Sequence, residues 1–281
     1  MASSSGDSKI LITGGTGSLG NALISKLKAN KIIIYSRDEY KQYLMAQKFI
    51  NNPNIQFLIG DVRDLDRLKQ AMVGVEAVVH TAALKHIAIG ERNPTEVIKT
   101  NIDGTKNVVD ACIACNVKRA VFISSDKAVA PINLYGTTKL TGEKLWLEAN
   151  FYHKTLFNVV RYGNVLNSRG SVVELFMKLK KNGIKEFPIT DLNMTRFWIS
   201  LDEASDLVVK ALTEGEKKIY IPDLPSMKIT DLARAIDPDC IFREIGIRPG
   251  EKLHESLSDT LHSNTNKNWL TVEDLRKRLE L

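Results

Sequence analysis

The sequence predicts an α/β fold: a doubly wound parallel sheet with a smaller C-terminal lobe. Three observations predict it. Short apolar runs alternate with helical segments from Lys9 to about Arg161, the pattern of parallel strands joined by right-handed crossovers. The first run feeds a glycine-spaced turn, Gly14-Gly15-Thr16-Gly17-Ser18-Leu19-Gly20, which opens the first helical segment. After Arg161 the alternation loosens into short segments whose ends carry amide and cationic side chains. We therefore expect residues 1–161 to form a nucleotide-binding domain. Residues 162–281 should form mainly a substrate-binding lobe, with some strands returning to the sheet.

Composition narrows the class. A chain of 281 residues buries a sizeable core, and 43% hydrophobic with 26% charged residues is ordinary for a soluble globular protein. No apolar run approaches the roughly 20 residues of a membrane span. Met1 to Ser8 lacks an apolar signal core, so we expect a cytoplasmic protein, no membrane partner, and disorder over residues 1–8. The net charge of +6 suits an anionic ligand. The lysines and arginines are dispersed among acids, with no basic block, so nucleic acid is not the expected partner. Cys112-x-x-Cys115 lies in a helical pattern with no second pair or nearby histidine, and the third cysteine, Cys240, makes the number odd. Neither a metal site nor a disulfide framework is expected.

Taken in order, Lys9–Thr13 reads as a buried strand. Gly14, Gly17 and Gly20 let the backbone turn tightly and approach a pyrophosphate at a helix N-terminus, with Thr16, Ser18 and Leu19 in the same turn. Strand before and helix after (to about Ala29) make this a Rossmann-type turn. Lys31–Tyr35 is the second strand, ending in Ser36-Arg37-Asp38. NAD-preferring sites usually hold an acid at this strand end. Ser36, Arg37 and Lys41 offer a hydroxyl and two cations instead, which suits a 2′-phosphate and predicts NADP. The alternative is that Arg37 merely pairs with a surface acid. Ile55–Ile59, the third strand, leads to Asp61, placed to accept from an adenine amine, and Val62, placed against the ring. Val75–His80, the fourth, leads to Thr81 and Ala82, small where a cofactor passes, and then to Lys85. His86 follows, and a lone histidine is more often structural, so it is left out of the site. Asn93-Pro94 starts a long helix carrying Asn101, whose amide should point back at the strand ends.

Lys118–Ile123, the fifth strand, delivers Ser124 to Lys139, the stretch with the most chemistry. Tyr135 and Lys139 stand four apart and so share a helix face. The neighbouring ammonium is expected to lower the phenol's pKa, as a base for an alcohol proton requires. Asp126 and Lys127, at the strand end, should project into the cleft. Farther on, Asn164, Arg196, Arg248 and Lys252 recur at segment ends, the composition of a lobe that closes over a sugar nucleotide.

With the glycine turn, Asn101 and Tyr135-x-x-x-Lys139 in place, the chain resembles the extended short-chain dehydrogenase/reductase superfamily, and Ser125 sits where that family places the serine or threonine of its triad. Five segments narrow the resemblance: Tyr35-Ser36-Arg37-Asp38-Glu39, Ala82-Ala83-Leu84-Lys85-His86, Ser125-Asp126-Lys127-Ala128, Met194-Thr195-Arg196-Phe197-Trp198 and Arg248-Pro249-Gly250-Glu251-Lys252-Leu253-His254-Glu255. Together they resemble the inverting UDP-N-acetylglucosamine 4,6-dehydratases. The likeness runs from about Lys9 to Glu255 and resumes at Asn268-Trp269-Leu270. Two departures are a compressed segment after Glu255 and a short helix between Gly20 and Lys31.

The resemblance implies a redox dehydration that returns its cofactor unchanged. Tyr135 takes the 4-hydroxyl proton while hydride moves from C4 to NADP+; Lys127 then handles the C5 proton, Asp126 protonates the departing C6 hydroxyl, and hydride returns to C6. The product is inverted at C5, a UDP-2-acetamido-2,6-dideoxy-β-L-arabino-hexos-4-ulose. Lysine as a base requires a pKa well below about 10.4, and burial and the cation at Lys139 are expected to lower it. By the same resemblance Lys85, Asn164 and Arg196 line the substrate, Arg248 meets its diphosphate and Glu251 its ribose. A homo-oligomer is expected by family habit. A UDP-sugar 4-epimerase and a cofactor-binding regulatory protein on the same scaffold are the competing readings.

Overall fold

Seven parallel strands dominate the architecture, and the central ones are buried on both faces, as strands of a sheet sandwiched by helices must be. The computed structural model describes residues 8–281 apart from 167, 169 and 217. Strands β1 (Lys9–Thr13), β2 (Lys31–Ser36), β3 (Ile55–Ile59), β4 (Ala77–His80), β5 (Arg119–Ile123) and β6 (Leu156–Val160) are five of them in near agreement with the sequence reading, plus a sixth. Beyond them lie β7 (Asn164–Val165), β8 (Glu186–Ile189), β9 (Thr195–Ile199), β10 (Ile219–Tyr220), β11 (Ser226–Lys228) and β12 (Ile241–Glu244).

The main sheet runs β10-β6-β5-β4-β1-β2-β3, and every pairing in it is parallel. It is a doubly wound, Rossmann-type sheet. Its order reverses between β1 and β4, and a crevice opens there at the strands' carboxyl ends. β10 comes from the C-terminal part of the chain and pairs with β6. A three-stranded sheet, β11-β9-β7, and the pair β12-β8 make up the rest.

Apolar side chains on the two faces of the main sheet form separate clusters, one around Ile12, Ile34 and Val121, the other around Leu11, Val78 and Phe157. A third cluster, with Phe176, Phe187, Trp198 and Leu232, belongs to the C-terminal residues. The helix Leu201–Thr213 packs with the first cluster through Ala204, Val208 and Leu212.

Several local expectations change. The first helix, Ser18–Lys26, stops short of Ala29 because Leu27 is already extended. Residues 1–7, expected to be disordered, lie outside the described residues. Ser8 is held, its carbonyl accepting from Asn30 and Lys31 N–H at 3.0 and 3.1 Å. The compressed segment after Glu255 closes on itself: Leu257 N–H donates to Leu261 O at 2.9 Å, and Leu257 is fully buried. Cys112, Cys115 and Cys240 are free thiols, and among the described residues no helix is long and apolar enough to cross a membrane.

Candidate active site

The ends of β1 to β5 and the starts of the helices Ser18–Lys26 and Leu134–Glu148 converge on a cavity of about 730 Å³. Gly14, directly after β1, has φ +64°, and a Cβ there would lie 2.8 Å from the Ala82 backbone. Only glycine lets the β1 and β4 loops come this close. Gly17 caps the helix that follows with no side chain of its own, and no acid stands in its first turn. The N-terminal N–H groups and the positive helix end thus suit a pyrophosphate. Thr16, Ser18 and Leu19 also line the cavity; Gly20 does not, and packs the helix against the turn itself, where a Cβ would lie 2.2 Å from Gly15 O.

At the far end Ser36, Arg37, Lys41, Asp61 and Val62 line the same space. Each polar member already has a partner. Ser36 Oγ accepts from Gln42 Nε2 at 3.1 Å, Lys41 pairs with Asp38 at 2.7 Å, and Arg37 reaches Asp61 at 3.4 Å. Burial opposes ionisation of Asp61, yet hydrogen bonds from Arg63 and the Arg37 charge hold its carboxyl below the usual range. Two buried hydroxyls that line the cavity, Thr100 Oγ1 and Ser124 Oγ, have no partner among the described residues. The glycine cradle and these orphaned hydroxyls fit a dinucleotide.

Asn101 is a correction. It sits in a π-helical turn, Lys99–Asp103, and does not line the cavity. Its Oδ1 accepts from Leu84 N–H at 2.8 Å, and its Nδ2 donates to Leu84 O and Thr138 Oγ1 at 2.9 and 3.0 Å. The amide ties the loop carrying Thr81, Ala82 and Lys85 to the helix Leu134–Glu148 and has no donor left for a cofactor.

That helix starts at an Asn133 cap, whose side chain accepts from Gly136 N–H at 2.7 Å, and it presents Tyr135 and Lys139 to the cavity. Gly136 is pressed against the preceding turn: a Cβ would fall 2.2 Å from Lys127 O. Lys139 Nζ donates to Ile123 O at 2.7 Å and lies 6.0 Å from the Tyr135 ring centre. Burial pushes this lysine down to about 7, against the pull of Glu143. Burial likewise pushes the Tyr135 phenol up to about 12; the Lys127 charge and a bond with Ser125 only partly offset it. The expected phenol lowered by Lys139 is therefore not found, since desolvation outweighs that neighbour and Lys127 is the cation that acts on it.

Lys127 reverses expectation too. Burial alone would lower its pKa, but Asp126 and Glu255 together raise it. Lys127 Nζ stands 3.0 Å from Asp126 Oδ1 and 3.4 Å from Glu255 Oε1. Asp126 is completely buried; its Oδ1 also accepts from Ser125 Oγ at 2.7 Å, while its Oδ2 has no partner among the described residues. Glu255 was missed by the sequence reading. It closes the last of the five family-like segments, but nothing local in the chain places it beside a lysine so distant in sequence.

Of the expected substrate contacts, Lys85, Asn164, Arg248 and Glu251 line the cavity, and so do Ser125 and Lys127. Arg248 is largely exposed and pairs with Glu251 at 2.6 Å. Arg196 does not line it. Its guanidinium is buried and donates to Thr195 O, Leu253 O and Lys252 O at 2.7, 3.0 and 2.9 Å, clasping the segment that carries Glu251 and Glu255. His86, set aside earlier, does line the cavity, as does Tyr162.

Residues 10–274 match the family described as polysaccharide biosynthesis protein. The chain belongs to that family. Within it, the chain is 54% identical over 265 residues to a UDP-N-acetylglucosamine 4,6-dehydratase (inverting) of Campylobacter jejuni, covering 90% of this chain and 78% of that protein. It is 45% identical over 269 residues to a UDP-glucose 4-epimerase of Rickettsia bellii, covering 89% and 77%. Among solved structures, Pen from Bacillus thuringiensis superposes with a TM-score of 0.92 at 35% identity, covering 98% and 97% of the two chains. The dTDP-glucose 4,6-dehydratase DesIV from Streptomyces venezuelae, solved with NAD and TYD bound, has a TM-score of 0.84 at 19% identity, with coverage of 97% and 96%. That likeness is one of fold. The family relatives agree with the resemblance read from the five segments.

Proposed function

We propose that the protein is a C5-inverting UDP-N-acetylglucosamine 4,6-dehydratase that uses NADP and works in the cytoplasm as a homo-oligomer. One observation carries the reading: a carboxyl–amine pair, Asp126 and Lys127, stands 3.0 Å apart beside the cavity that also holds Tyr135 and Lys139. A redox centre alone suffices for epimerisation at C4. Loss of water between C5 and C6 needs an acid and a base besides, and the pair supplies both.

The glycine turn would hold the pyrophosphate, and Arg37, paired with Asp61 only at 3.4 Å, would be the residue to exchange that partner for a 2′-phosphate. A nicotinamide dinucleotide held there would supply the hydride acceptor for C4 and the hydride donor for C6. Tyr135 takes the 4-hydroxyl proton, its phenolate favoured by the Lys127 charge and the Ser125 bond. The ketone at C4 acidifies the C5 hydrogen, which Lys127 removes as Asp126 protonates the departing hydroxyl. Arg248 exchanges Glu251 for the substrate diphosphate, leaving the carboxylate for the uridine ribose, while Lys85 and Asn164 face the sugar.

Incubation with UDP-N-acetylglucosamine in deuterated water tests this reading. The expected product is a 4-keto-6-deoxy sugar, inverted at C5 and carrying deuterium there. The 45% identity to an epimerase supports the second reading. A C4 epimer formed with no deuterium at C5 and no loss of water would establish it instead.

A further inference from the structure

We propose that Glu255 is a positioning residue of this site, bracketing the Lys127 amine together with Asp126 and governing when that amine serves as a base. The proposal rests on the dehydratase reading above. Glu255, like Asp126, does not line the cavity, and its side chain is only 3% exposed; its contact with a cavity-lining charge is through Lys127. Its Oε1 is 3.4 Å from Lys127 Nζ. Its Oε2 has no hydrogen-bond partner among the described residues and faces Lys252 Nζ at 3.7 Å. Lys252 is itself anchored on Val129 O at 2.6 Å, and Glu255 N–H donates to Ser263 Oγ at 2.9 Å, so neither end of the bracket is loose. The other groups that act on Lys127 are Asp126, the Arg196 cation and the Tyr135 phenol.

The proton balance gives the bracket its role. In the elimination the Lys127 lone pair takes the C5 proton. The electrons of that C–H bond form the C5–C6 double bond, the C6–O bond breaks, and the hydroxyl leaves as water with the Asp126 proton. A carboxylic acid and a neutral amine thereby become a carboxylate and an ammonium. That is the ion pair the structure holds at 3.0 Å, so the resting pair has the charges left by an elimination. Moving one proton from Lys127 to Asp126 across this contact re-arms it. The Glu255 charge stabilises the ammonium: it makes Lys127 a stronger base and delays its re-arming.

Competitive labelling with acetic anhydride from pH 7 to 12, read at Lys127 by peptide mass spectrometry, measures the proton affinity without requiring turnover. In the native protein Lys127 should label only above the pH at which exposed lysines do. In Glu255→Gln the half-labelling point should fall by about one pH unit or more, whereas Glu255→Asp should keep most of the native value. Lys252→Met should move it upward, since Glu255 then has only Lys127 to face; opposite signs from two neighbours are not a general loosening. Steady-state dehydration by Glu255→Gln should fall about tenfold or more, with its pH profile displaced in the same direction as the labelling. Coincident labelling curves for native and Glu255→Gln protein would overturn the proposal. If Glu255→Gln does not fold, an unshifted curve in Lys252→Met does so. A native protein with the expected labelling that forms no dehydrated product overturns the dehydratase reading instead, and leaves the bracket in place.

Discussion

At the scale of single residues, the site is a contest between desolvation and neighbouring charge, and the winner differs from one group to the next. Lys139 and Tyr135 are governed by burial, whereas Lys127 is governed by two carboxylates. This separates the roles experimentally. Lys127→Ala should bind UDP-N-acetylglucosamine and still reduce its cofactor in a single turnover, seen as nicotinamide absorbance, yet release no 6-deoxy product. Tyr135→Phe should abolish the absorbance change as well. Native turnover by Lys127→Ala would remove the acid–base assignment. Arg37 makes a second residue-scale case, because its only ion pair among the described residues is a long one to Asp61. Replacing it by alanine should weaken NADP binding by about 10- to 100-fold, the worth of one charge-assisted bond of roughly 1.5–3 kcal/mol, and leave NAD binding nearly unchanged. Equal effects on the two dinucleotides in titration calorimetry would refute NADP selection by this residue.

Elements were the most legible part of the chain. Buried parallel strands appear in sequence as apolar runs, and β1 and β3 have the boundaries that the runs suggest. The polar interior of those elements was not legible. His80, at the end of β4, was read only as a strand terminus. It is wholly buried, with Nδ1 2.6 Å from Thr13 Oγ1, Nε2 3.1 Å from Thr105 Oγ1, and its ring clustered with those of Phe122 and Trp146, which also touch each other. Burial, aided by the Lys139 charge, lowers its pKa to about 3. An unfolded chain binds this proton at about 6.5, so between those two values the unfolded state holds more protons than the native one. Stability contributed by neutral His80 is complete above about pH 6.5 and is lost as pH falls toward 3. His80→Gln should therefore be less stable than native at pH 7, by about 1–3 kcal/mol for the lost bonds, but should lose less on going to pH 4.5. Urea midpoints at the two pH values decide this, and parallel losses in both proteins would contradict it.

Across the whole molecule, long-range placement is what local patterns withheld. Periodicity reports which face of an element is apolar; it carries no signal for a carboxylate arriving from a distant loop. Hence the cavity walls from β1 to β5 were largely foreseen, while Glu255, the Arg196 clasp and the structural use of Asn101 were not. Arg196 holds three carbonyls, at Thr195, Lys252 and Leu253, and so fastens the Arg248–Glu255 segment to β9. Arg196→Ala leaves Lys252 O without its donor, at a cost of about 1–3 kcal/mol if it stays dry, whereas Leu253 O keeps Thr195 N–H and Thr195 O keeps Ser263 Oγ. Hydrogen exchange across residues 248–255 should then quicken, and KM for the UDP-sugar should rise at least about tenfold with dinucleotide affinity retained. Unchanged exchange in that segment would show that the clasp is dispensable.

The contact beneath Gly136 has a consequence for how the two halves of the chemistry keep their distance. The helix bearing Tyr135 and Lys139 rests with its own backbone against the carbonyl of Lys127, with no side chain between them. A stop made of main chain has no rotamers to relax into and no methylene to lose. Repacking the core elsewhere can tilt the sheet or shift the helix, yet phenol and amine travel together as one rigid piece. A side chain at position 136 would drive into that carbonyl, so the spacing between the Tyr135–Lys139 helix and the Lys127 main chain hangs on this one position having none.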